Sequence, residues 1–264
     1  MPSRETQGAL WESPVKKKLR EGRPAIGALL AVASAETAAQ TAKLGFDFLW
    51  IEMEHSPITL ESLRNMVLAT RGLPAMPFAR VPVNEIWMAK RVLDAGVSGV
   101  IFPFTSTPEL ARQAVAACRY PPLGRRGSGA DLAKACWPEP DRYYDSADDN
   151  VTVVAMIEEA EAVAHIDEIA ATPGVDVLFI GTSDLSFSLG LRGDQEHPRL
   201  REAVAKVLEA GKRHGKTLGR TAFDATRVPR YVEEGFRFLT APSELAFIRA
   251  GVKQYFESAG MPPR

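Results

Sequence analysis

The chain holds 264 residues, 45% hydrophobic and 25% charged, enough to bury one large core as a single domain over residues 1–264. Its 32 basic and 33 acidic residues leave no net field to gather nucleic acid or an anionic membrane, so a small ligand is expected. The two cysteines, Cys118 and Cys136, are spaced neither for a metal nor for a redox pair, which points to a reducing compartment, the cytoplasm.

The basic run Lys16-Lys17-Lys18 reads as a solvated helical turn, since no apolar segment follows that could span a bilayer or lead secretion. From residue 25 onward short β-rich runs alternate with amphipathic helical stretches. Strands are expected at 25–30, 46–54, 77–81, 99–104, 151–158, 175–181, 217–221 and 236–241. Helices are expected at 36–44, 60–70, 84–94 with Asn84 as N-cap, and from Thr107-Pro108 to 119, while 120–150 reads as a long loop. Gly96, Gly174, Gly215 and Gly235 each follow a helical run and act as stop signals before a strand. The run Val175-Asp176-Val177-Leu178-Phe179-Ile180 is almost continuously apolar, as parallel strands covered on both faces require. No Gly-x-Gly-x-x-Gly fingerprint follows the first strand, so an α/β TIM (β/α)8 barrel is preferred to a doubly wound sheet.

Barrel chemistry sits at the C-terminal ends of the strands, and four of these ends carry ionisable residues. The second ends Glu52-Met53-Glu54-His55, the third carries Arg80, the fifth ends at Glu158, and the sixth runs into Gly181-Thr182-Ser183-Asp184. Glu158 and Asp184, on consecutive strands, can converge on one hard divalent cation and leave its other positions to water and substrate. His55 is the best general base, because His165, His197 and His214 fall within or beside helices. Glu52 and Glu54 share a strand face and support the site, with Glu54 placed to order a bound water. Arg80 brings a permanent cation to the same mouth, either to stabilise an enolate oxygen or to pair with Glu52 or Glu54. Gly181, Thr182 and Ser183 offer backbone N–H groups to a substrate carboxylate. Asp94 could orient His55 if the fold brings the two together, and Arg125-Arg126 could cover the entrance. No lysine lies on a strand inside the barrel, which disfavours Schiff-base chemistry.

At these residues the chain resembles the HpcH/HpaI aldolases, class II pyruvate-dependent enzymes of the 4-hydroxy-2-oxoheptanedioate and 2-keto-3-deoxy-sugar-acid type. The likeness covers nearly the whole chain. It is carried by Glu52-Met53-Glu54-His55-Ser56-Pro57, Arg80-Val81-Pro82, Leu93-Asp94-Ala95-Gly96, Tyr120-Pro121-Pro122-Leu123-Gly124-Arg125-Arg126-Gly127, Ile157-Glu158 and Phe179-Ile180-Gly181-Thr182-Ser183-Asp184-Leu185-Ser186. The resemblance implies that Glu158 and Asp184 bind Mg²⁺, Mn²⁺ or Co²⁺, that His55 is the base with Asp94 as its partner, and that Arg80 stabilises the enolate. It implies oxo-acid and aldehyde substrates and a homo-oligomer, typically a hexamer, whose last helix, around 245–256, packs on a neighbouring barrel.

Departures from the family pattern bear on substrate identity. Glu52 stands where Asp is frequent, Thr182-Ser183 where Pro-Ala is frequent, Glu159 where Thr is frequent, and 219–244 matches less well. Two rival readings share the barrel. An acyl-CoA lyase of the citrate-lyase-beta type needs a basic groove, hinted at by Arg125 and Arg126, and a catalytically silent barrel would only bind a keto acid.

Overall fold

The computed structural model describes residues 9–261. Its strands are β1 Ala25–Leu30, β2 Phe48–Glu52, β3 Met76–Arg80, β4 Gly99–Phe102, β5 Thr152–Ile157, β6 Val177–Ile180, β7 Thr217–Thr221 and β8 Phe236–Ser243. All pair in parallel and in chain order, and β8 returns to β1, so no edge is left open.

The helices are α1 Pro14–Arg20, α2 Ala35–Thr41, α3 Leu60–Ala69, α4 Ile86–Asp94, α5 Pro108–Cys118, α6 Asp131–Lys134 and α7 Tyr143–Asn150. They continue with α8 Ala160–Ala164, α9 Ile166–Ala171, α10 Thr182–Ser188, α11 Pro198–Arg213, α12 Val228–Glu234 and α13 Glu244–Ser258. Ser34, Thr59, Thr107 and Ser243 cap α2, α3, α5 and α13 by accepting a backbone N–H three residues on. Each helix between strands returns the chain to the end where strands begin, so helix starts and strand ends share one face.

The strands separate two apolar layers. Outward residues such as Leu49, Ile51, Leu178 and Leu218 pack beneath the helices. The inward layer is aromatic: Phe48 stacks on Phe238 with ring centroids 4.2 Å apart and lies 5.2 Å from Phe78. Gly27, in register with Phe48, makes room for that ring, since a Cβ there would fall 2.2 Å from it. Val15 of α1 joins this layer and closes the barrel floor.

Several details depart from the sequence expectations. The lysine run is not merely solvated: Lys18 lies 2.6 Å from Asp47 and Lys16 3.0 Å from Asp176, both acids preceding strands at the floor. Glu85, not Asn84, occupies the N-cap position of α4; Asn84 is buried and its amide donates to the Leu110 carbonyl at 3.3 Å. About half of the segment 120–150 is folded into α6, a 3₁₀ turn at Pro140–Arg142, and α7, because Trp137, Tyr143 and Ala147 bury against Trp11 and Tyr120 in a core of their own.

A side chain at position 27 must displace the Phe48 ring. Gly27→Ala is therefore expected to lower stability by about 1–3 kcal/mol, measurable as a lower urea midpoint with an unchanged slope.

Candidate active site

Parallel register brings Glu52 of β2 directly beside Arg80 of β3. Both are buried, and Arg80 Nε donates to Glu52 Oε2 at 2.6 Å. The same oxygen accepts the Trp50 indole N–H at 3.1 Å, while Glu52 Oε1 accepts the backbone N–H groups of Glu54 at 2.7 Å and His55 at 3.0 Å. Glu52 is thus saturated by four donors, one of them charged, which is how an inward carboxylate is tolerated at a barrel mouth. The turn that presents Glu54 and His55 hangs from its side chain.

Arg80 has a second carboxylate. Its Nη1 lies 2.8 Å from Glu54 Oε2, close enough for an ion pair though off the line of a hydrogen bond. Burial raises the Glu54 pKa, against the opposing pull of Arg80 and His55. His55 Nε2 stands 3.7 Å from the same Glu54 oxygen, and its side chain, 61% exposed, is the most accessible of the group. No hydrogen bond holds Arg80 Nη2 among the described residues, which leaves two N–H groups for a ligand.

Glu158 follows β5 and is buried. Its Oε1 accepts the Phe104 N–H at 2.7 Å, and Phe104 sits just beyond β4 in a left-handed conformation with φ 46°. Its Oε2 is buried with no hydrogen-bond partner. Burial pushes the Glu158 pKa up to about 7, with Glu54 and Asp184 adding to the rise and the Phe104 N–H and Arg80 opposing it. Glu158 and Gly181 follow the registered pair Ile157 and Ile180, and Gly181 is a spatial necessity: a Cβ there would meet Glu158 Oε2 at 2.8 Å. Asp184 lies in the first turn of α10, whose N-terminus no side chain caps, beside partly exposed Thr182 and exposed Ser183.

A divalent cation fits this arrangement. Glu158 Oε2 is an unsatisfied buried acceptor, Asp184 lies within its field, and Gly181 keeps the space between strand and helix open. Among the described residues no cage of three or more His, Cys, Asp or Glu ligands forms. Two carboxylates with the remaining positions left to water and substrate is an arrangement that suits a hard cation such as Mg²⁺.

Two sequence candidates lie elsewhere. Asp94 ends α4, five residues before β4 begins, at the floor of the barrel rather than its mouth. There its carboxylate is 3.4 Å from Arg126 Nη2, and burial raises its pKa against the pull of that cation. Within this chain Asp94 therefore stands at the opposite end of the barrel from His55 and pairs with Arg126 instead. Arg126 is no lid either. It is fully buried, donates to the Tyr143 hydroxyl at 2.6 Å and lies 4.7 Å over the Tyr120 ring. Arg125 donates its backbone N–H to Ala116 at the C-terminal end of α5, on the same floor. The two arginines that hint at the basic groove of an acyl-CoA lyase therefore lie away from the mouth. Trp50 and Phe104 were not anticipated: Trp50 two residues before Glu52 on the same strand face was a readable signal, whereas the Phe104 N–H has none.

The sequence profile of the HpcH/HpaI aldolase/citrate lyase family matches residues 26–249. The chain belongs to this family. It is 35% identical to a hydroxypyruvate/pyruvate aldolase of Roseobacter denitrificans, over 88% of this chain and 91% of that protein. It is 36% identical to a 5-keto-4-deoxy-D-glucarate aldolase of Salmonella arizonae, over 93% and 96%. A crystal structure of an HpcH/HpaI aldolase/citrate lyase family protein from Burkholderia cenocepacia superposes with a TM-score of 0.86 at 35% identity, covering 94% of this chain and 99% of that one. The protein is a carbon–carbon lyase of the aldolase type. No helix among the described residues is long and apolar enough to cross a membrane.

The raised Glu158 pKa has a testable sign. A carboxyl that holds its proton up to about pH 7 when folded, but releases it near 4.5 when unfolded, stabilises fully below the lower value. That contribution is lost as pH rises through the window. In metal-free protein Glu158→Gln should gain stability relative to wild type between pH 5 and pH 8, read from denaturation midpoints at each pH.

Proposed function

We propose that this aldolase catalyses the reversible, divalent-cation-dependent cleavage of a 4-hydroxy-2-oxo acid to pyruvate, or a close analogue, and an aldehyde. The observation that carries this reading is the unsatisfied Glu158 Oε2, buried in the field of Asp184, Glu54 and Arg80. The names of the relatives, which act on pyruvate, hydroxypyruvate or a keto-deoxy sugar acid, support the substrate class.

Glu158 and Asp184 would hold the cation, Mg²⁺, Mn²⁺ or Co²⁺, whose contribution there is Lewis acidity toward the substrate 2-oxo group. The N–H groups of Thr182 and Ser183 at the start of α10 receive the substrate carboxylate, while that of Gly181 donates to the Ile157 carbonyl at 3.1 Å. His55, exposed at the mouth, takes the C4 hydroxyl proton, and Glu54 at 3.7 Å stabilises the imidazolium that results. As the C3–C4 bond breaks, the aldehyde departs and the electron pair passes into an enolate. The free N–H groups of Arg80 stabilise the enolate oxygen, with Glu52 fixing their direction. Protonation at C3 yields the 2-oxo acid.

Assembly belongs to the same reading. Helix α13 exposes Leu245, Phe247, Ile248, Val252 and Tyr255, a face that supports packing on a neighbouring copy in a homo-oligomer, a hexamer by family resemblance. Two free cysteines support a reducing, cytoplasmic setting.

The deciding experiment is pyruvate release from a panel of 4-hydroxy-2-oxo acids with and without added Mg²⁺, Mn²⁺ or Co²⁺. Arg80→Ala should lose about two or more orders of magnitude in kcat while its circular dichroism stays native. Undiminished turnover in that variant, or after chelation, would overturn the scheme. Ile248→Glu combined with Val252→Glu should shift the mass seen by light scattering toward smaller species; an unchanged mass would remove α13 from the interface.

A further inference from the structure

A second cavity lies outside the barrel wall, between α11 and α12 and behind the start of α10. It encloses about 580 Å³, within the size range of small-metabolite sites, and is bordered by Arg201, Arg220, Arg227 and Arg230. Three of these arginines have carboxylate partners: Arg230 lies 2.8 Å from Glu234, Arg227 3.8 Å from Asp224, and Arg201 4.0 Å from Glu196. Arg220 has none among the described residues. It points outward from β7 toward the helices, like Leu218 two residues earlier, and its Nε is buried with no hydrogen-bond partner.

Arg220 is half-buried, and taking a guanidinium part-way out of water with no anion in contact is costly. Burial is the main influence lowering the Arg220 pKa, with Arg227 and Arg230 adding to it, while Tyr231 and Glu234 pull the other way. Arg220 lies 3.9 Å over the Tyr231 ring and 5.2 Å over that of Phe236. Such stacking offsets part of the desolvation, yet a ring face gives the guanidinium edge no acceptor. The group most suited to that edge is a planar or tetrahedral oxyanion. Leu200, Val204 and Leu208 of α11 line the facing wall and suit an apolar body attached to it.

We propose that this cavity is a second ligand site, taking a small organic anion whose carboxylate or phosphate head binds Arg220 while its body lies against the apolar side of α11. The site is distinct from the reaction centre. Glu52, Arg80 and Glu158 do not line it, while Thr182, at the start of α10, borders it.

The test is isothermal titration of inorganic phosphate, and separately of malonate, into the full-length chain already saturated with divalent cation and pyruvate. Saturable one-to-one binding of phosphate assigns a phosphorylated ligand, and saturable binding of malonate alone assigns a carboxylate. Arg220→Leu should weaken that binding at least about tenfold, with the KM for the aldolase substrate unchanged. Arg227→Ala, at an exposed rim position, should weaken it by a smaller factor and serves if the Arg220 variant does not fold. No saturable binding of either anion, or equal binding by wild type and the Arg220 variant (the Arg227 variant if that one fails to fold), overturns the proposal.

Discussion

The mouth of this barrel is organised by one buried ion pair. Glu52 and Arg80 are neighbours by strand register, and at 2.6 Å they neutralise each other where neither could be left alone. From that pair the remaining geometry extends in two directions. The backbone N–H groups of Glu54 and His55 donate to the Glu52 carboxylate, so the turn carrying His55 is set by that acid. The guanidinium then reaches past Glu54 into the field of Glu158. A longer acid than the family's frequent aspartate still meets Arg80, because it also reaches the Trp50 indole and the turn behind it.

The opposite constraint governs Glu158. It is equally buried but only half satisfied, with one oxygen on the Phe104 N–H and the other free. A saturated carboxylate supports structure, and an unsatisfied one stores affinity for a cation or a proton. The two acids, on β2 and at the end of β5, thereby differ: Glu52 has both oxygens paired, and Glu158 keeps one oxygen without a hydrogen-bond partner among the described residues. Gly181 preserves the difference by leaving space where any side chain would press on the free oxygen.

Much of this was legible from residue types at strand ends. Period and punctuation locate strands, and parallel barrels put strand C-termini on one face, so Glu52, Arg80, Glu158 and Asp184 could be grouped before any coordinates. The positions of Asp94 and Arg126 are not legible in the sequence, because residue type and local pattern do not say which end of the barrel each one meets. A helix-terminal residue shortly before a strand lies on the floor, and there Asp94 met Arg126 instead of His55. The segment 120–150 reads as a loop because its helices are short and Trp11, the ring that Trp137 packs against, is remote in sequence.

The amino-acid sequence by itself determined the barrel, the aldolase family and the strand-end positions of Glu52, Glu54, Arg80 and Glu158, because alternation, strand-end position and motif strings are local properties. Only the tertiary structure decided which carboxylate is spent on Arg80 and which keeps an unpaired oxygen, that Arg126 is interior, and that Arg220 has no carboxylate in ion-pair contact among the described residues. Those outcomes depend on burial and on distances between elements far apart in the chain, where the cost of an unpaired charge is set by every neighbour at once.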